Sequence, residues 1–119
     1  MTIVGFLGLG RMGAGMSARL LGHVDHLLVH DISDEAVAAL VAKGAETAGS
    51  AKALGEECDI VFTSLPTPAI VREAILGEEG IAGGGKVRIV CDLSTSGPGL
   101  AQELAAALGP KGIASFDAP

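Results

Sequence analysis

Apolar and polar positions alternate in two different rhythms along the 119-residue chain. Thr2 to Leu7 are strand-like and run into Gly8-Leu9-Gly10-Arg11-Met12-Gly13, after which Gly13, Met16, Ser17 and Leu20 recur on one helical face. Leu27 to His30 form a second strand that ends at Asp31. Ser33 then caps a helix whose apolar stripe is Val37, Leu40 and Val41, with Asp34 and Glu35 in its first turn and Lys43-Gly44 at its end. Ala45 to Ala48 read as a short strand, and Ser50 to Leu54 as a brief helix stopped at Gly55.

Asp59 to Ser64 is apolar on both faces, as a central parallel strand should be, and it ends at Leu65-Pro66. Thr67-Pro68 opens a helix carrying Val71, Ala74 and Ile75, Pro68 being suited to a first helical position that needs no donor. Gly77 to Gly85 reads as a flexible, glycine-rich connection. Val87 to Cys91 form a further strand, which delivers Asp92 to Pro98 to its carboxyl end. Leu100, Leu104 and Leu108 mark a helix stopped at Gly109-Pro110, and Gly112 to Phe116 are a last strand. Strand and helix alternate throughout, so the expected fold is α/β: a Rossmann-type, doubly wound, mostly parallel sheet with helices on both faces, forming one domain over residues 1–119.

The glycine turn brings in chemistry. Gly8 allows the chain to reverse out of the strand, Gly10 lets a phosphate approach the main chain, and Gly13 lets the helix pack on the strand. The helix start offers unpaired N–H groups and the positive end of a dipole, a cradle for a pyrophosphate. A bare G-x-G-x-x-G is weak, but here a strand precedes it, a helix follows, and Asp31 lies close to the ~20 positions further on where a carboxylate meets an adenosine ribose. Ligands of such sheets bind at the carboxyl ends of the strands, which gathers the turn, Asp31, Leu65-Pro66 and Ser94-Thr95 along one edge. A carboxylate at position 31 would repel a 2′-phosphate, and Ile32 and Ser33 offer no guanidinium, so NAD is favoured over NADP. Arg11 is a phosphate or ribose contact or is simply solvated.

Composition narrows the picture. Apolar residues make up 49% and aromatics 3%, so the core must be built from aliphatic side chains. The net charge of −6, with no basic block, argues against nucleic acid or an anionic membrane as a partner. No signal-peptide pattern or spanning run appears, which makes a soluble cytoplasmic protein the default. Cys58 and Cys91 read as buried, reduced thiols rather than a disulfide or metal pair. His23, His26 and His30 read as loop and surface positions, so no metal site is expected.

The run Gly8-Leu9-Gly10-Arg11-Met12-Gly13-Ala14-Gly15-Met16-Ser17 resembles the opening signature G-L-G-x-M-G-x-x-M-[SA] of the β-hydroxyacid dehydrogenases, which include 3-hydroxyisobutyrate dehydrogenase and tartronate semialdehyde reductase. Leu65-Pro66, Asp92-Leu93-Ser94-Thr95 and Asp117-Ala118-Pro119 match as well, so the resemblance covers essentially the whole chain. It implies that the turn (Gly8, Leu9, Gly10, Arg11, Met12, Gly13) holds the pyrophosphate and that Asp31 meets the adenosine ribose. It also implies that Leu65 and Pro66 line the nucleotide cleft, with Thr95 beside the nicotinamide half and Ser94 next to the substrate. Members preferring NADP tend to carry Asn-Arg-Thr where Asp31-Ile32-Ser33 stands here. The chain departs from the family pattern at Gly15, often Pro, and at Arg19, usually Asn.

In the family the Asp-Ala-Pro stretch continues into a Ser-Gly-Gly substrate segment, a catalytic lysine and a helical second domain. None of Lys43, Lys52, Lys86 and Lys111 occupies the place of that lysine. The resemblance therefore implies the N-terminal NAD-binding domain of a longer enzyme, inactive alone, whose parent transfers hydride between a nicotinamide cofactor and a small hydroxy acid. Homo-oligomers are left open, because family members associate largely through the second domain. Two rivals stand beside this reading: a non-catalytic or imine-reductase-like relative, and a methyltransferase, which also uses a glycine turn and an acid after its second strand but leaves Leu65-Pro66 and Ser94-Thr95 unexplained.

Overall fold

The computed structural model describes residues 2–94 and 97–118. Six strands, β1 (Ile3–Leu7), β2 (His26–His30), β3 (Glu46–Thr47), β4 (Ile60–Thr63), β5 (Ile89–Asp92) and β6 (Ala114–Asp117), alternate with five helices. The helices are α1 (Arg11–Leu20), α2 (Asp34–Ala42), α3 (Ala51–Glu57), α4 (Pro68–Leu76) and α5 (Gly97–Leu108). The strands form one sheet in the order β3-β2-β1-β4-β5-β6, and every pairing is parallel. The Rossmann-type expectation is met, with a sheet that is wholly rather than mostly parallel.

The reversal of strand order between β1 and β4 decides which face each helix covers, because parallel crossovers are right-handed. On one side Val4, Phe6, Leu27 and Val29 pack against Ala14 and Ala18 of α1 and against Leu40 of α2. On the other, Leu28, Val61 and Val90 pack against Leu54 of α3, Ile75 of α4, and Leu100, Leu104 and Leu108 of α5. Aliphatic side chains dominate both layers. Phe6 and Phe62 stack with ring centroids 5.9 Å apart and extend the first layer across β1 and β4. Beyond them α1 and α2 no longer reach, and the in-register row Phe62, Cys91, Phe116 goes from half-buried to 57% exposed.

Several expectations are corrected. Helix α3 does not stop at Gly55 but runs on to Glu57, with Gly55 buried inside it. The Gly77 to Gly85 connection is packed, not flexible: it contains a 3-10 turn, Ile81–Gly83, whose Ile81 is fully buried. Gly55 lies so close to this turn that a Cβ on it would sit 2.0 Å from the Ile81 carbonyl oxygen. The third strand shrinks to two exposed residues between the buried Ala45 and Ala48. Cys58 is buried as expected, whereas Cys91 is only partly so, because it belongs to the thinly covered row. Of the histidines only His23 lies in an exposed turn; His26 and His30 are the two ends of β2, both half-buried. His26 Nδ1 lies 2.8 Å from Glu46 Oε2 and His30 Nδ1 lies 3.0 Å from the Ala48 carbonyl, so each ring stitches β2 to the β3 segment.

Candidate functional site

Four strands, β2, β1, β4 and β5, end side by side around the switch point, and their ends are tied together by main-chain bonds. Gly8 N–H donates to the His30 carbonyl at 3.1 Å, Ser64 N–H to that of Leu7 at 2.9 Å, and Leu93 N–H to that of Thr63 at 2.8 Å. The loops leaving this edge enclose a cleft of about 820 Å³, the size of a site for a large organic ligand.

The floor of the cleft is the glycine turn, and its three glycines serve different ends. Gly8 has φ +99°, and a Cβ there would lie 2.1 Å from the Ser64 carbonyl oxygen. A Cβ on Gly13 would lie 2.1 Å from the carbonyl oxygen of Gly8. Both are therefore demanded by the fold. Gly10 has an ordinary φ of −63°, and a Cβ there would meet nothing within 4 Å. No packing accounts for that glycine, and the space in front of it belongs to the cleft.

Helix α1 starts immediately behind that space. Helices α2, α3 and α4 each have a hydroxyl at the N-cap, from Ser33, Ser50 and Thr67, that accepts a main-chain N–H of the first turn. Gly10 gives α1 no such side chain. Its first-turn donors and the positive end of its dipole thus face the cleft without a side-chain partner, the arrangement that favours an anion.

Asp31 lines the same cleft from the end of β2. Its Oδ2 accepts the Leu9 N–H at 2.5 Å and its Oδ1 accepts the Ser33 N–H at 2.8 Å. The carboxylate thereby fastens the glycine turn to β2 and is itself aimed across the edge. Each of its oxygens has a second lone-pair direction left for a ligand hydroxyl.

Of the residues singled out from sequence, Gly8, Gly10, Arg11, Met12, Gly13, Asp31, Leu65, Pro66 and Ser94 all line this cleft. Leu9 does not: its side chain is buried beneath the turn, and its N–H is taken by Asp31. Thr95 lies outside the described residues. Ser94 is buried, and its hydroxyl oxygen accepts the Leu65 N–H at 2.8 Å. Sequence reasoning missed Ile32, which follows Asp31, Ala51 at the start of α3, and Ile70, Glu73 and Ala74 of α4, all of which line the cleft. Only Ile32, an apolar residue directly after the acid that ends the second strand, carried a signal in the sequence that could have flagged it, and the structure leaves it fully exposed. Lys43, Lys52, Lys86 and Lys111 do not line the cleft.

Two further exclusions hold for the described residues. They contain no group of three His, Cys, Asp or Glu side chains able to hold a metal, and no helix long and apolar enough to cross a membrane.

Comparison with known proteins agrees with this geometry. The family profile described as the NAD binding domain of 6-phosphogluconate dehydrogenase matches residues 3–119. The chain is 35% identical over its full length to 3-sulfolactaldehyde reductase of Escherichia coli, covering 40% of that protein. It is 38% identical to 3-hydroxyisobutyrate dehydrogenase of Pseudomonas aeruginosa, again covering 40%. Among solved structures, 3-hydroxyisobutyrate dehydrogenase of Mycobacterium tuberculosis superimposes with a TM-score of 0.87 at 34% identity, over all of this chain and 40% of that one. An imine reductase of Myxococcus stipitatus, solved with NADP+, shares the fold with a TM-score of 0.85 at 20% identity, over 97% of this chain and 39% of that one. The chain spans about 40% of the length of the curated relatives it matches. With a cleft built on a glycine turn and the Asp31 carboxylate, and a profile match over residues 3–119, this chain belongs to the family of NAD binding domains of 6-phosphogluconate dehydrogenase, alongside the β-hydroxyacid dehydrogenases it resembles.

Proposed function

We propose that the chain is the N-terminal, cofactor-binding part of an oxidoreductase that moves hydride between NAD and a small 3-hydroxy acid of the 3-hydroxyisobutyrate or 2-hydroxy-3-oxopropionate type. The observation that carries the reading is Gly10: a glycine required by neither φ nor packing, in front of a helix start with no side-chain cap. A dinucleotide supplies the missing reason for it. In this reading the turn from Gly8 to Gly13 takes the pyrophosphate and Asp31 accepts the adenosine ribose hydroxyls. Ile32 and Ala51 offer apolar surface to the base, and Leu65, Pro66 and Ser94 wall the nicotinamide side.

Bound NAD supplies the hydride acceptor. The residues of this chain bind and orient it, and they keep water from the Leu65-Pro66 side. The names of the curated relatives, 3-hydroxyisobutyrate dehydrogenase and 3-sulfolactaldehyde reductase among them, support the substrate class. The acid or base for the substrate hydroxyl is not among the lysines here and is assigned to the remainder of the parent protein, so the 119-residue chain binds cofactor and turns over nothing.

NAD is assigned over NADP because a 2′-phosphate would meet the Asp31 carboxylate, with no guanidinium at positions 32 and 33. Calorimetric titration tests this. The wild type is expected to bind NAD more tightly than NADP and to ignore S-adenosylmethionine. Asp31→Asn removes the charge but keeps an acceptor for Leu9, and should weaken NAD about tenfold, the ~1.4 kcal/mol of a charged hydrogen bond reduced to a neutral one, while bringing NADP closer to it. Tighter binding of NADP by the wild type would overturn the cofactor assignment, and robust turnover of hydroxy acids by the purified chain would overturn the division of labour.

A further inference from the structure

Three of the four buried polar side chains among the described residues, Thr63, Asp92 and Ser94, stand together where β4 and β5 end. The Thr63 hydroxyl donates to Asp92 Oδ1 at 2.9 Å, and the Ser94 N–H donates to the same oxygen at 3.0 Å. The Ser94 hydroxyl oxygen in turn accepts the Leu65 N–H at 2.8 Å. Thr63 and Asp92 are register partners across the two strands. Neither lines the cleft, whereas Ser94 and Leu65 both do.

Closing β4 on β5 does not require this chain of polar groups. An apolar pair would do so without the cost of desolvating a carboxylate. What a polar chain adds is direction, since hydrogen bonds weaken steeply away from their preferred angle and an unsatisfied buried group is expensive. It holds two loops, which leave neighbouring strands, at one separation and one orientation.

We propose that Thr63 and Asp92 are positioning residues, which act through Ser94 to set the Leu65-Pro66 wall and so the fit of the nicotinamide riboside half of the dinucleotide. The inference rests on the NAD reading above. With the adenosine half fixed at Asp31, just past the end of β2, the remaining half crosses the switch point and falls over the ends of β4 and β5. The clamp thus serves one half of the ligand only, and that is what makes it separable from a merely structural role.

The test is calorimetric titration of the 119-residue chain with NAD and with ADP, which carries the adenosine and pyrophosphate but no nicotinamide riboside. Thr63→Val preserves shape and removes the hydroxyl; Ser94→Ala removes the acceptor for Leu65. Each is expected to raise the NAD dissociation constant about tenfold, equivalent to one net hydrogen bond, and to leave that of ADP as in the wild type. Thr63→Ser restores a hydroxyl and should restore NAD binding. NAD affinity unchanged in both variants, or NAD and ADP weakened together in step with a fall in melting temperature, would overturn the inference. A wild-type chain that binds ADP but gains nothing from the second half of NAD overturns it too while leaving the glycine-turn site intact. A wild type that binds neither nucleotide overturns the NAD reading itself.

Discussion

Gly10 and Gly13 are both glycines of one turn, yet substitution should separate them. Gly13→Ala drives a methyl to 2.1 Å from the Gly8 carbonyl oxygen and is expected to cost about 1–3 kcal/mol, the range for overpacking, in urea denaturation. Gly10→Ala meets nothing within 4 Å, so the unfolding midpoint should stay within about 0.5 kcal/mol of wild type. NAD affinity in the same variant should fall at least about tenfold, because the methyl occupies ligand space. A Gly10→Ala chain that binds NAD normally would show that the open space is not the phosphate site. Cys58 makes a second prediction at this scale. Burial first, and then the neighbouring Glu57 and Asp59 against a smaller opposing pull from Lys86, pushes its thiol from the ordinary 9.0 up to about 12. Between those two values the unfolded chain has lost the thiol proton and the folded chain has kept it. The thiol therefore contributes full stability below pH 9 and loses it as pH rises towards 12, at up to about 1.4 kcal/mol per pH unit. Urea melts from about pH 8 to about pH 10.5 should show a steeper decline for wild type than for Cys58→Ala.

Between elements, the least legible feature was the contact of α3 with the Ile81–Gly83 turn. Gly55 looks like a helix stop from sequence because a glycine weakens a helix interior by about 1 kcal/mol relative to alanine. The structure keeps it mid-helix because backbone meets backbone there: Lys86 and Val87 N–H groups both donate to the Gly55 carbonyl, at 3.1 and 3.0 Å. Gly55→Ala should gain helix propensity and still destabilise, by about 1–3 kcal/mol, since the new Cβ would lie 2.0 Å from the Ile81 carbonyl oxygen. A stabilised Gly55→Ala variant in urea denaturation would contradict this close approach. The same reasoning explains why the Gly77 to Gly85 stretch was misread as flexible. Its glycines allow the turn to press against α3, and local composition cannot distinguish glycine used for closeness from glycine used for freedom.

At the scale of the whole molecule, the two faces of the sheet are unequal. Right-handed crossovers carry α1 and α2 over β1 to β3, and α4 and α5 over the opposite face, so the α1 side of β4 to β6 is left thinly covered. Phe6 is 1% exposed in the stack with Phe62, while Phe116, one end of the same row, is 57% exposed. Phe6→Ala should therefore cost about 3–5 kcal/mol, whereas Phe116→Ser should change stability by no more than about 0.5 kcal/mol, both read from urea denaturation of the 119-residue chain. A Phe116→Ser variant as damaging as Phe6→Ala would mean that this face is packed in solution.

Periodicity and turn chemistry in the sequence determined the order of the elements, the parallel α/β class, the glycine turn and the acid that ends the second strand. All of these depend on residues within a few positions of one another, where backbone preference and side-chain spacing act directly. The tertiary structure alone decided the long-range matters: that Gly10 faces open space while Gly8 and Gly13 face carbonyls, and that Leu9 turns inward. It also decided that Cys91 and Phe116 share a half-covered row, and that Thr63, Asp92 and Ser94 join across two strands 29 positions apart. Strand order and register bring those groups together, and neither is written in any local stretch of the chain.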